Sequence, residues 1–94
     1  MAVMVHHRGA GWTYELYKET FDRAIPDTAK PPAGLVAHVA GAWQEGDGWQ
    51  VFEVWESEDA FRAFIHEVVV PIAATLQAPP FESSITEVAN HLVP

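Results

Sequence analysis

The chain has 94 residues, 49% of them hydrophobic and 19% charged, with a formal net charge of −8 and no cysteine. That length holds one domain, 1–94, around a single core, and the balance is that of a globular chain rather than a disordered one. Only five Lys and Arg residues stand against 13 Asp and Glu; scattered as they are, they argue against nucleic acid and anionic membranes as partners. The lack of cysteine removes disulfides and thiolate metal sites, which suits a cytoplasmic protein. No long apolar run follows basic residues at the start, so no signal peptide is expected, and no stretch approaches the roughly 20 apolar residues of a membrane span.

Ala2 to His7 is short, apolar and β-branched, and reads as the first strand, with Arg8-Gly9-Ala10-Gly11 as a loop. Thr13 is placed to cap a helix from Tyr14 to about Ile25, where Pro26 and Asp27 stop it. Leu16, Tyr17, Thr20, Phe21, Ala24 and Ile25 fall on one face of that helix. A stiff, proline-rich connection follows. Leu35 to Trp43 is the second strand, Glu45 to Gly48 a turn, and Trp49 to Glu56 the third strand. Asp-Gly beside alternating residues is a hairpin signal, because left-handed backbone angles suit both residues. Ser57 can accept a hydrogen bond from an orphan amide at the start of a second helix, where Glu58 and Asp59 complement the dipole. This helix should bury Phe61, Phe64, Ile65, Val68 and Ile72, and Pro71 inside the pattern predicts a kink or a break. Ala78-Pro79-Pro80 is a second stiff loop, and Ser84 to His91 alternates as a fourth strand.

The order β-α-β-β-α-β is the ferredoxin-like, split βαβ arrangement of the α+β class: a four-stranded antiparallel sheet with both helices on one face. The other sheet face then needs a cover, and a second copy of the chain is the natural one. With the turn centred on Gly46-Asp47, Trp43 lies opposite Gln50, Val39 opposite Val54, and His38 opposite Trp55. One face then collects Val36, His38, Ala40, Ala42, Val51, Glu53 and Trp55; the other collects Leu35, Val39, Trp43, Phe52 and Val54. A one-residue bulge would exchange the two sets.

The runs GLVAHVAG and DGWQVFEVWESEDAFRAF, followed by a proline-punctuated helix, resemble the dimeric α+β barrel superfamily. Within it they are most similar to small proteins grouped with antibiotic biosynthesis monooxygenases. Trp55-Glu56-Ser57 and the acidic, Phe-containing helix after it are the most recognisable piece. The resemblance covers nearly the whole chain and implies a homodimer with a pocket between sheet and helices. Relatives range over cofactor-free monooxygenases, polyketide cyclases, isomerases, haem-degrading oxygenases and plain ligand binders, so it does not select a reaction.

Four Trp, two Tyr and five Phe are more than so small a domain can hide, so an apolar interface or a lined pocket is expected. His38 is the first catalytic candidate: a neutral imidazole in an apolar pocket can take a phenolic or enolic proton near pH 7. Glu53 would orient it, or act as a base itself if burial raises its pKa. The plain reading of the same pair is a core histidine bonded to a carbonyl, with Glu53 on a rim. Trp55, Tyr17 and Tyr14 are the expected substrate-binding residues, although a tryptophan such as Trp55 more often fills a core than stacks on a substrate. Trp49 and Trp43 are expected at the dimer edge. His66 falls on the solvated flank of its helix, and His6 and His7 point to opposite sheet faces, so they do not readily share a metal. No His-x-x-x-His or His-Glu-x-x-His spacing appears, nor any triad, phosphate-loop or dinucleotide motif.

The sequence thus predicts a homodimer that binds a small hydrophobic, aromatic or polyketide-like molecule and, if catalytic, acts without cofactor or metal as a monooxygenase, cyclase or isomerase. The alternative is a non-catalytic binding or assembly module. A third reading, haem or metal held by His66 or His38, is weaker.

Overall fold

The computed structural model describes residues 1–92 and 94. Its elements are β1 (Val3–Ala10), α1 (Tyr14–Ala24), β2 (Leu35–Trp43), β3 (Gly48–Trp55), α2 (Glu58–Phe64), a π-helical turn (Ile65–Val69), α3 (Val70–Thr75) and β4 (Glu82–Glu87). The four strands form one sheet in the order β2-β3-β1-β4, and every neighbouring pair is antiparallel. This is the predicted ferredoxin-like α+β fold.

Both helix starts follow from their caps. The Thr13 hydroxyl accepts from the Leu16 amide at 3.1 Å, and the Ser57 hydroxyl from the Ala60 amide at 3.1 Å, each satisfying a donor that the first turn leaves orphaned. The break expected at Pro71 takes the form of the π-helical turn Ile65–Val69, after which Pro71 sits in the first turn of α3. Proline has no N–H to return to the preceding turn and its ring crowds that carbonyl. A widened turn just before it relieves both conflicts.

The strand limits differ from expectation at two places. β1 runs on to Ala10, through residues that read as a loop, because Arg8, Gly9 and Ala10 pair with Gln50, Trp49 and Gly48. The glycine at 9 is there for close approach: a Cβ would collide with the indole of Trp12. β4 is displaced toward the N-terminus, to Glu82–Glu87, because its partner is β1, with His7 opposite Ser83 and Val3 opposite Glu87.

The hairpin register also moves, but by two residues. His38 pairs with Glu53, Val39 with Phe52 and Trp43 with Gly48. The reversal is centred one residue earlier than expected, with Asp47 taking the left-handed conformation at φ 50°. An even shift leaves side chains on their original faces, so His38 and Glu53 still share one. A bulge between Leu35 and Ala37 is the exception. It turns Leu35 into the core and leaves Val36 42% exposed, exchanging their expected faces.

Val3 and Val5 of β1, Trp55 of β3 and Phe61 of α2 make the fully buried core, with Leu35, Ala60, Phe64, Ile65 and Ile85 packed against it. Of the expected apolar face of the second helix, Phe61 is buried and Phe64, Ile65, Val68 and Ile72 are half-buried. Toward the other end of the same sheet face, the helices and the sheet do not close completely. The site lies there.

Candidate active site

Between the sheet and the helices lies a cavity of about 100 Å³. Its polar floor is His7 from β1, Glu53 from β3, His38 from β2 and Tyr17 from α1. Trp12, Phe21, Trp49, Phe64 and Phe81 form an aromatic wall. Strand alternation explains the floor: His7, Glu53 and His38 all point to the helix-covered face, and the register sets them side by side.

The floor is one continuous hydrogen-bonded chain. Tyr17 Oη lies 2.6 Å from His38 Nε2, and His38 Nδ1 lies 2.8 Å from Glu53 Oε2. On the other carboxylate oxygen, Glu53 Oε1 is 3.0 Å from His7 Nε2, and the indole N–H of Trp55 donates to it at 3.2 Å. His7 Nδ1 is in turn 2.6 Å from Ser83 Oγ on β4. Burial alone would push the Glu53 carboxyl up. Hydrogen bonds from His38, His7 and Trp55 outweigh it and hold the carboxyl at about 2. Glu53 is therefore an anion on the floor of a site whose wall is aromatic. Desolvation, reinforced by the negative charge of Glu53, pushes the Tyr17 hydroxyl up to about 12, so it keeps its proton.

These ionisation states assign the protons. A carboxylate only accepts, so His38 presents N–H at Nδ1 and His7 presents N–H at Nε2. In the neutral imidazole the remaining nitrogen is bare. His38 Nε2 then accepts from the Tyr17 hydroxyl, and His7 Nδ1 from the Ser83 hydroxyl.

His38, Glu53 and Tyr17 are thus brought together as one unit. Trp55 is not part of the cavity wall: it is completely buried among Phe61 and Phe64 and reaches the site only through its N–H on Glu53. Tyr14 is 52% exposed and stands outside the cavity, its ring 5.7 Å from that of Trp49. Trp49, expected at a dimer edge, instead lines the cavity beside Tyr17, and its indole nitrogen is buried without a hydrogen-bond partner. His6 lies on the opposite sheet face, stacked on Phe52 with ring centroids 4.2 Å apart, and His66 is exposed. His7 and Ser83 belong to the site but are not legible from the β2–β3 hairpin, because they stand on β1 and β4. Part of the signal lies in the fold: in a ferredoxin-like sheet β1 is central and so runs beside β3, while only the register sets His7 diagonal to Glu53. Among the described residues, no group of three or more His, Asp or Glu side chains is disposed to hold a metal ion.

Fold and floor together define an α+β, ferredoxin-like protein with a half-open site between sheet and helices. Its structural neighbours include antibiotic biosynthesis monooxygenase-like proteins, as the sequence resemblance implied. The chain is similar to SnoaB, a cofactor-independent oxygenase from Streptomyces nogalater, at 22% identity and a TM-score of 0.64 over 97% of this chain and 95% of that one. It is also similar to the monooxygenase ActVA-Orf6 of Streptomyces coelicolor, solved in complex with nanaomycin D, at 19% identity and a TM-score of 0.61 over 99% and 91%. Rv0793 from Mycobacterium tuberculosis superposes with a TM-score of 0.74 at 14% identity over 99% of this chain and all of that one (100%). No protein-family model matches the chain, and no curated protein matches it in sequence.

Proposed function

We propose that the cavity binds a small, flat, neutral molecule bearing a phenolic or enolic hydroxyl, and that the Tyr17–His38–Glu53 unit removes that proton. The observation that carries this reading is the unit itself: a buried carboxylate, an imidazole turned by it, and a hydroxyl on the imidazole's bare nitrogen at 2.6 Å. Tyr17 Oη–H passes its proton to His38 Nε2 as it takes the proton of the substrate, so Tyr17 ends unchanged. The products are a substrate anion and an imidazolium paired with Glu53. No Lys or Arg lines the cavity, so a ligand that arrives as an anion meets only the charge of Glu53. The electron-rich anion then reacts with dioxygen at a ring carbon that bears hydrogen. One oxygen atom becomes a carbonyl on that carbon and the other leaves as water with the two hydrogens the substrate gives up, so the substrate, oxidised to a quinone, supplies all four electrons. Alternatively, the anion cyclises or isomerises. None of these routes requires a cofactor. The likeness to SnoaB, itself a cofactor-independent oxygenase, supports the first.

A chromogenic phenol tests the proton step. At a pH below the phenol's own pKa, 4-nitrophenol bound to the protein is expected to show the absorbance of its anion. Tyr17→Phe or His38→Gln should reduce the anion fraction about tenfold, the scale of one pKa unit. A phenol that binds unchanged in its neutral form would overturn the reading.

One observation favours a second reading, a non-catalytic binding module. Both nitrogens of His38 are occupied by protein groups, which also describes a rigid structural network. Binding without deprotonation in the same titration is its signature.

The proposed molecule is a homodimer built on the uncovered sheet face, where Met4, Val39 and Phe52 are 47%, 62% and 46% exposed. Three such side chains on one open face are an apolar patch that a second sheet would cover. Light scattering should give twice the 10.4 kDa chain mass, and Phe52→Arg should shift the population to monomer. A wild-type monomer would sink the dimer. Among the described residues no helix is long and apolar enough to cross a membrane.

A further inference from the structure

The side chains that reach Glu53 come from both sides, and only one side is used by the proton step. His7 approaches from β1, with Nε2 3.0 Å from Glu53 Oε1, while Ser83 closes on its other nitrogen at 2.6 Å. Without His7, Oε1 would retain only the Trp55 N–H at 3.2 Å, the longest bond of the set. The carboxylate would then be set only by His38 on Oε2 and that one long bond, and its last torsion would be less firmly fixed. His38 would then lose the fixed acceptor that selects its Nδ1–H form.

We propose that His7, anchored by Ser83, is a positioning residue of this site: it holds Glu53 from the β1 side so that the other carboxylate oxygen faces His38 and the bare Nε2 faces Tyr17. This rests on the reading of His38 as the proton acceptor. Four strands take part, in the order Ser83 (β4), His7 (β1), Glu53 (β3) and His38 (β2), which is the strand order of the sheet itself. The geometry also fixes a direction. Donors converge on Glu53 from both ends, so protons do not pass through it from one histidine to the other. His7 acts on His38 only by how it holds and screens the shared carboxylate.

The surroundings of His7 isolate that role. Glu53 is the one charged group hydrogen-bonded to its ring. Phe61 from α2 and Phe81, just before β4, cover the ring at 5.7 and 5.6 Å between centroids and carry no charge. Ser83 is exposed at the sheet edge, so it tethers the ring from the side away from the cavity.

Nitrogen NMR of the histidine rings tests this on the intact protein without a ligand. In the wild type, His38 is expected as a single Nδ1–H tautomer and His7 as a single Nε2–H tautomer. His7→Phe should turn His38 into a mixture of tautomers and move its proton affinity by about threefold or more, half a pH unit. His7→Gln, which returns an N–H at nearly the reach of Nε2, should restore both. If His7→Phe does not fold, Ser83→Ala replaces it, since that change removes only an exposed hydroxyl. It should leave His7 in mixed tautomers and shift His38 in the same sense. An unchanged His38 spectrum and titration in a folded His7→Phe, or in Ser83→Ala, would overturn the proposal. If the tautomers behave as expected but no phenol is deprotonated, the functional reading fails and the role of His7 in holding Glu53 stands.

Discussion

Glu53→Ala is expected to destabilise the folded chain by about 4 kcal/mol in urea denaturation, because each buried donor left without an acceptor costs about 1–3 kcal/mol. Three donors lose their acceptor together: the N–H groups of His7, His38 and Trp55. A domain of this size has roughly 5–15 kcal/mol in total, so the variant should give up between about a quarter and four-fifths of its stability. A loss below about 1 kcal/mol would mean that water replaces the carboxylate and that the network is not structural.

The same carboxylate dictates an acid limit. Its folded value of about 2 lies below the ordinary 4.5, so the stabilisation is complete above pH 4.5 and is lost as pH falls toward 2. The difference corresponds to about 3 kcal/mol between the two limits. Glu53→Gln has no charge to titrate there and should flatten that part of the stability–pH curve. An acid transition identical in wild type and Glu53→Gln would place the sensitivity on other carboxylates.

Phe61→Ala is the second large effect, expected at about 4 kcal/mol, within the range of phenylalanine truncations in closed cores. Phe61 is 2% exposed and packs against Trp55. Its ring also lies 5.7 Å from that of His7. The truncation therefore opens a void between core and site, and mixed His7 tautomers should accompany the lost stability. Phe61→Leu refills much of the volume and should recover more than half of the loss in denaturant titration. Equal losses for the two variants would show that the ring's shape, rather than its volume, is what the core uses.

Part of the site was legible in the sequence and part was not, for reasons particular residues make clear. His38 and Glu53 were found because a hairpin is a local object: a turn and two alternating strands set which side chains share a face. The register was misjudged by two residues, yet the conclusion survived, since a pleated strand returns to the same face every second residue. Leu35 and Val36 did not survive, because a bulge moves the pattern by one. Tyr17 was placed on the right helix face by its 3.6-residue spacing. Nothing local, however, could say that its hydroxyl would meet His38 rather than the solvent. Trp55 was assigned to the ligand, while the fold uses it as the centre of the core and as a donor to Glu53. Its chemistry is equal to both tasks, and only packing separates them. His7 and Ser83 were missed because their partners lie 46 and 76 residues from His7 along the chain.

By itself the sequence determined the order of elements, the caps that start the helices, the irregularity ahead of Pro71 and the apolar faces that bring helices onto a sheet. Each of these is decided within a few residues by backbone geometry and side-chain periodicity. The tertiary structure alone decided that five side chains, from all four strands and one helix, converge on a single buried carboxylate. That convergence depends on the β1–β3 and β1–β4 registers, which no local signal encodes. Once it is formed, burial and hydrogen bonding give Glu53 its charge and each histidine its tautomer.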